Sequence, residues 1–161
     1  KELFVAQIEK LKSQTYRIAA LAVICDVSFS SKSWEEVVQW SGQLLAGKLD
    51  DEQKARGLYQ QGYAYYQLKK TPESVESLSK IASLDANQLW NIRANYLLGA
   101  CFNLLKEPGK AELAFVAALP GLKGSEALEC LYRLGLVRFV LKKYPPLPLL
   151  IPGHIYRANY Q

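Results

Sequence analysis

An all-α fold built from repeated helix pairs is what this sequence predicts, on three observations. Apolar residues recur at helical spacing from 1 to 143, and strand-like alternation is scarce. Turn signals recur at 28–33 (SFSSKS), 46–51 (AGKLDD), 68–74 (LKKTPES), 83–88 (SLDANQ), 105–110 (LKEPGK) and 120–125 (PGLKGS). They leave segments of roughly 12 to 18 residues between them, a usual helix length. Finally, Gly62, Gly99 and Gly135 stand in related surroundings, LYQQGYAYYQL, NYLLGACFNLL and LYRLGLVRFVL, at intervals of 37 (99 − 62) and 36 (135 − 99) residues. A fixed period of that size is the mark of stacked supersecondary units. With 161 residues, half of them apolar, the chain has material for one domain with a real core and too much apolar content for disorder.

The elements follow in order. KELFVAQIEKLKSQ places Leu3, Val5, Ile8 and Leu11 on one stripe and predicts an N-terminal helix. The first unit, 18–51, carries Cys25 at the place of the glycine, 37 residues before Gly62. Units at 55–88 and 92–124 follow, and a partial unit at 128–143 closes the helical-repeat domain, 1–143. Trp34, Thr71 and Pro108 share one offset and start the second helix of each pair. Twelve residues beyond the glycine place stand Val37, Ser74 and Ala111; sixteen beyond, Ser41, Leu78 and Phe115; nineteen beyond, Leu44, Ile81 and Ala118. A small residue at the glycine place lets the two helices of a pair approach closely, and one pair cannot bury its apolar face alone. The segment 144–161 departs from this pattern: Pro145, Pro146, Pro148 and Pro152 forbid a regular helix and predict an extended tail. That tail reads as a cover for the apolar end of the last helix, as an SH3-type ligand through Lys142-x-x-Pro145-x-x-Pro148, or as the occupant of a groove.

Leu58, Gly62, Tyr65, Ser74 and Leu78 in one unit, and Leu98, Gly99, Phe102, Ala111, Phe115 and Ala118 in the next, resemble the tetratricopeptide repeat (TPR). The first unit matches less well, and the fourth supplies only Leu134 and Gly135. The match departs from the family at its spacers, which make the units two or three residues longer than the family's 34, and at LDAN, which lacks the usual proline. The resemblance implies a right-handed solenoid of antiparallel helix pairs. It assigns Tyr65 to packing between helices and the concave wall to Arg56, Tyr59, Gln60, Tyr63, Tyr66, Arg93, Tyr96, Asn103, Tyr132 and Arg133. Tyrosine offers contact area at low entropy cost, and arginine can grip a carboxylate with two hydrogen bonds. The implied work is non-catalytic: a scaffold that binds a partner peptide or helix with acidic groups and helps assemble a complex. The alternative is a homodimer paired through incomplete end repeats. The two-carboxylate clamp of chaperone-binding members is not matched, since its places hold Leu97 and Glu129 beside Arg56, Gln60 and Arg133.

Composition bounds the rest. The net charge of +5 and pI of about 9.1 favour acidic partners. Lys69–Lys70 and Lys142–Lys143 are pairs rather than tracts, which disfavours nucleic acid. Cys25, Cys101 and Cys130 are widely spaced and read as small core residues, without a disulfide framework or zinc site. A single histidine, His154, removes most triads. Glu35–Glu36 and Asp50–Asp51 read as surface or capping groups, and no glycine-rich phosphate loop is present, so neither an enzyme, a cofactor nor a small-molecule substrate is expected. The early apolar run IAALAVIC (18–25) is too short for a membrane span, and a reducing, cytoplasmic setting fits the cysteines. The absence of methionine predicts a chain that begins inside a longer protein.

Overall fold

A computed structural model describes residues 13–142. The expected N-terminal helix with Leu3, Val5, Ile8 and Leu11, the Pro-rich segment 144–161 and His154 lie outside the described residues. Within them the chain is all-helical: α1 (Gln14–Ser30), α2 (Trp34–Leu45), α3 (Asp51–Gln67), α4 (Thr71–Ser79), α5 (Gln88–Leu104), α6 (Pro108–Ala118) and α7 (Gly124–Val140). Short 3₁₀ turns follow α4 and α6, and no strand occurs among the described residues. α1, α3, α5 and α7 each run 17 residues. α2, α4 and α6, which run 12, 9 and 11, alternate with them. Trp34, Thr71 and Pro108 open the short helices, at the one offset that the repeat predicts.

The helix ends are specified locally. Asp50 and Gln53 form a capping box on α3: the Asp50 carboxylate accepts from the Gln53 N–H at 2.7 Å, and the Gln53 side chain accepts from the Asp50 N–H at 3.2 Å. Asn87 caps α5 by accepting from the Leu89 N–H at 2.9 Å. Pro72 and Pro108 stand in the first turns of α4 and α6, where a missing N–H breaks no bond.

The long helices all close in one way. Lys32, Lys69, Lys106 and Lys142 have φ of 57°, 60°, 58° and 55°. Successive lysines are 37, 37 and 36 residues apart (69 − 32, 106 − 69, 142 − 106). Each lysine N–H bonds the carbonyl three residues back: Phe29, Tyr66, Asn103 and Phe139. After the first three, the next N–H reaches five residues back, Ser33 to Ser28, Lys70 to Tyr65 and Glu107 to Phe102, each at 2.9 Å. This is the Schellman closure, where glycine is the usual residue because an L side chain in the left-handed region costs roughly 1–2 kcal/mol. A cation at a helix C-terminus returns only about 0.3–1 kcal/mol of that.

Consecutive helices pack on one another, and their short connections make neighbours antiparallel. α1 also touches α3, and α3 touches α5. Asp26 meets Arg56 and Phe29 meets Tyr63, so α1 and α3 run in one direction. α3 and α5 do likewise: Asp51 and Glu52 at the start of α3 accept from the N–H groups of Asp85 and Asn87, just before α5. Glu52 also accepts from the Trp90 indole at 2.6 Å. The Asp51 carboxyl is thereby held below the usual carboxylate range, first by its bond from Asp85.

All nine repeat positions, eight on the short helices and Ile81 in the 3₁₀ turn after α4, are buried: Val37, Ser74 and Ala111; Ser41, Leu78 and Phe115; Leu44, Ile81 and Ala118. Close approach explains Gly62 and Gly99. A Cβ on Gly62 would lie 2.6 Å from Leu78 Cγ, and one on Gly99 would lie 2.6 Å from the Phe115 ring. The Ser74 hydroxyl donates to the Gly62 carbonyl at 2.7 Å, joining the same pair of helices. Gly135 is different: a Cβ there meets nothing within 4 Å. The expected nestling of two helices thus occurs at Gly62 and Gly99 and not at Gly135. α7 is the last described helix and turns Cys130, Leu134 and Val137 onto α6 and its neighbours, leaving the Gly135 side open.

Candidate functional site

α1, α3, α5 and α7 carry the residues expected along one wall, and the structure sorts those residues into three groups. The first group ties α1 to α3. The Asp26 carboxylate accepts from Arg56 Nη2 at 2.5 Å and from Gln60 Nε2 at 2.7 Å, while Cys25 Sγ donates to Gln60 Oε1 at 3.3 Å. Gln60 is only 7% exposed, so its side chain is structural and not available to a partner. Asp26, Arg56 and Gln60 also line a hollow of about 320 Å³ with Thr15, Ala22 and Lys48.

The second group is a run of rings. Phe29 and Trp34 both meet Tyr63, at centroid distances of 5.3 and 5.5 Å; Tyr59 continues the run to Tyr63 at 6.2 Å and to Trp90 at 5.8 Å. Aromatic pairs at such separations add stability beyond the area they bury. Burial pushes the Tyr59 hydroxyl above its ordinary pKa. Tyr66 is half-buried against the central core cluster. Tyr59, Tyr63 and Tyr66 therefore serve packing as much as surface, and Tyr65, expected to be the packing tyrosine, is half-buried as they are.

The third group is open. Arg93 is exposed, with its guanidinium 5.7 Å from the Trp90 ring centroid, and forms no ion pair among the described residues. Tyr132 is 68% exposed, and Asn103 is exposed. Arg133 donates through Nε and Nη2 to Glu129 Oε1 at 3.0 and 2.6 Å and lies 5.9 Å from the Tyr96 ring. That pairing holds the Glu129 carboxyl below its ordinary pKa. Tyr96 rests edge-on against Phe115 at 6.0 Å. Asn103, Glu129, Tyr132, Arg133 and Leu136 surround a hollow of about 230 Å³ floored by Phe115. Cofactor and drug sites run about 300–1,000 Å³, so this hollow suits one inserted side chain.

Of the expected wall, Asn103, Tyr132 and Arg133 are brought together, Arg56 and Gln60 are brought together elsewhere, and rings fill the space between. The sequence reading missed Asp26 as the partner of Arg56, Phe29, Trp34 and Trp90 as members of the ring run, and the four left-handed lysines. The recurrence of a lysine seven residues after Cys25, Gly62, Gly99 and Gly135 was the available signal for the last of these.

The three cysteines are free and buried. Burial pushes the Cys25 thiol up to about 12, with Asp26 adding to it, and the Cys130 thiol up to about 11; Cys101 is raised by burial as well. All three are thus held as thiols at neutral pH, whereas the thiolate is the nucleophile and metal ligand. Among the described residues no group of three or more His, Cys, Asp or Glu side chains is placed to hold a metal ion. None of the described helices is long and apolar enough to cross a membrane. No protein-family model matches the chain, and no curated protein matches it.

Proposed function

We propose that the chain is a non-catalytic interaction scaffold of TPR type, a right-handed solenoid of helix pairs that takes a partner's peptide or helix along the face of α3, α5 and α7 and helps assemble a larger complex. The hollow between α5 and α7 carries this reading: Phe115 floors it, Tyr132 and Leu136 wall it, and Asn103, Glu129 and Arg133 supply polar groups at its rim. An apolar partner side chain entering there would be ringed by hydrogen-bonding groups, the arrangement that hot spots favour. Arg93 is the arginine left to meet an acidic group, because Arg56 and Arg133 already hold Asp26 and Glu129. The protonated cysteines support a role outside nucleophilic chemistry, and buried free thiols fit the reducing cytoplasm.

The test avoids Tyr63, whose loss would disturb the ring run. Arg93→Glu combined with Tyr132→Ala is expected to weaken capture of a partner from native lysate by roughly 100-fold, at unchanged far-UV circular dichroism. Undiminished capture by that variant rejects the site.

One observation favours a second reading, self-association. α7 exposes Leu128, Tyr132, Leu136, Phe139 and Val140, with Gly135 open among them. An apolar patch of that kind is a usual mark of an interface. Sedimentation velocity of the full chain at micromolar concentration would then show a dimer that Leu136→Asp with Phe139→Asp converts to monomer. A monomeric wild type removes this reading.

A further inference from the structure

We infer that the edge at which α1, α3, α5 and α7 end is a docking surface for an anionic lipid bilayer, gripped by Lys32, Lys69, Lys106 and Lys142. The four long helices run alike, so their left-handed closing residues fall on one edge of the molecule, one per repeat. All four lysines are exposed, as is Lys70 beside them, and none forms an ion pair among the described residues. Glycine would relieve the backbone strain at every one of these positions, yet lysine stands at all four. A side chain kept four times against its backbone preference points to a use for the charge.

The surroundings specify the partner. Carboxylates on this edge come from the first turns of the short helices: Glu35, Glu36 and Glu73, with Glu107 just before α6. Glu107 holds Lys110, and Glu36 accepts from the neutral Ser28 hydroxyl and keeps its charge, so Lys32, Lys69, Lys70, Lys106 and Lys142 still outnumber Glu35, Glu36 and Glu73. At the opposite edge Asp51 pairs with Lys54, and Glu52 accepts from the Asn87 N–H and the Trp90 indole. Aliphatic and aromatic side chains lie beside the cations: Leu104 and Leu105 directly precede Lys106, and Phe139 and Val140 precede Lys142, all exposed. A phosphate backbone has no use for exposed leucines, whereas the headgroup zone of a bilayer takes lysines at its phosphates and apolar side chains just beneath.

Vesicle co-sedimentation of the full chain tests this, with phosphatidylcholine alone and with about one-third phosphatidylserine. Wild type should pellet with the anionic vesicles only, and added salt should release it. The quadruple variant Lys32→Gly, Lys69→Gly, Lys106→Gly and Lys142→Gly should lose partitioning on the order of 100-fold while melting no lower than wild type, since glycine suits each turn. The quadruple Lys→Arg variant should keep binding. Equal binding to neutral vesicles, undiminished binding by the glycine variant, or no binding to anionic vesicles at low salt would each overturn the proposal. So would an RNA single strand that displaces wild type from anionic vesicles at equimolar phosphate.

Discussion

Phe115→Ala lowers the unfolding free energy by about 3–5 kcal/mol, the range for removing a fully buried aromatic side chain. Phe115 is 1% exposed and touches two other helices: its ring lies against Gly99 and edge-on to Tyr96 on α5, and its carbonyl accepts from Cys130 Sγ on α7 at 3.6 Å. Its loss leaves a void that no neighbour is placed to refill, because Gly99 has no side chain to extend. Urea unfolding followed by circular dichroism would show the shift as a lower midpoint at unchanged slope. A loss below about 1 kcal/mol would mean that the α5–α6–α7 contact is loose and that the hollow over Phe115 lacks a firm floor.

Gly99→Ala and Gly135→Ala are chemically the same change at the same repeat position, and they should move stability in opposite directions. Both gain the roughly 0.5–1 kcal/mol that alanine has over glycine inside a helix. At Gly99 the new Cβ would sit 2.6 Å from Phe115 Cδ1 and Cε1 and 2.8 Å from Cγ, so a buried ring or the helix itself must move. Overpacking of that kind costs about 1–3 kcal/mol. At Gly135 nothing lies within 4 Å, and the propensity gain stands alone. The helix term cancels between the two variants, so the difference in their unfolding free energies reads the overpacking directly, about 1–3 kcal/mol. Equal effects would contradict either the α5–α6 contact or the openness of α7.

Much of the fold was legible because its determinants are local. Helical periodicity, the prolines that open α4 and α6, the Asp50–Gln53 capping box and the 37-residue recurrence of a small residue are each written within a few neighbouring positions. The burial of Val37, Ser74, Ala111 and their repeat mates follows from the same recurrence. The candidate site was legible in part. Asn103, Tyr132 and Arg133 gather around one hollow, whereas Gln60 turns inward and Tyr59 and Tyr63 join a ring run with Phe29, Trp34 and Trp90 that the sequence reading did not foresee.

The sequence by itself determined that this chain makes helix pairs, where each short helix starts, and which faces of the short helices go inside, since spacing, caps and small residues act over one or two turns. Tertiary structure alone decided which arginines are already engaged, which tyrosines remain open and that Gly135 faces empty space. Those outcomes depend on how helices 30 or more residues apart are set against each other, as in the Asp26–Arg56 bridge across 30 positions and the Glu52–Trp90 bond across 38. Side-chain partners at that range are chosen by the relative placement of whole helices, which no short window of residues encodes.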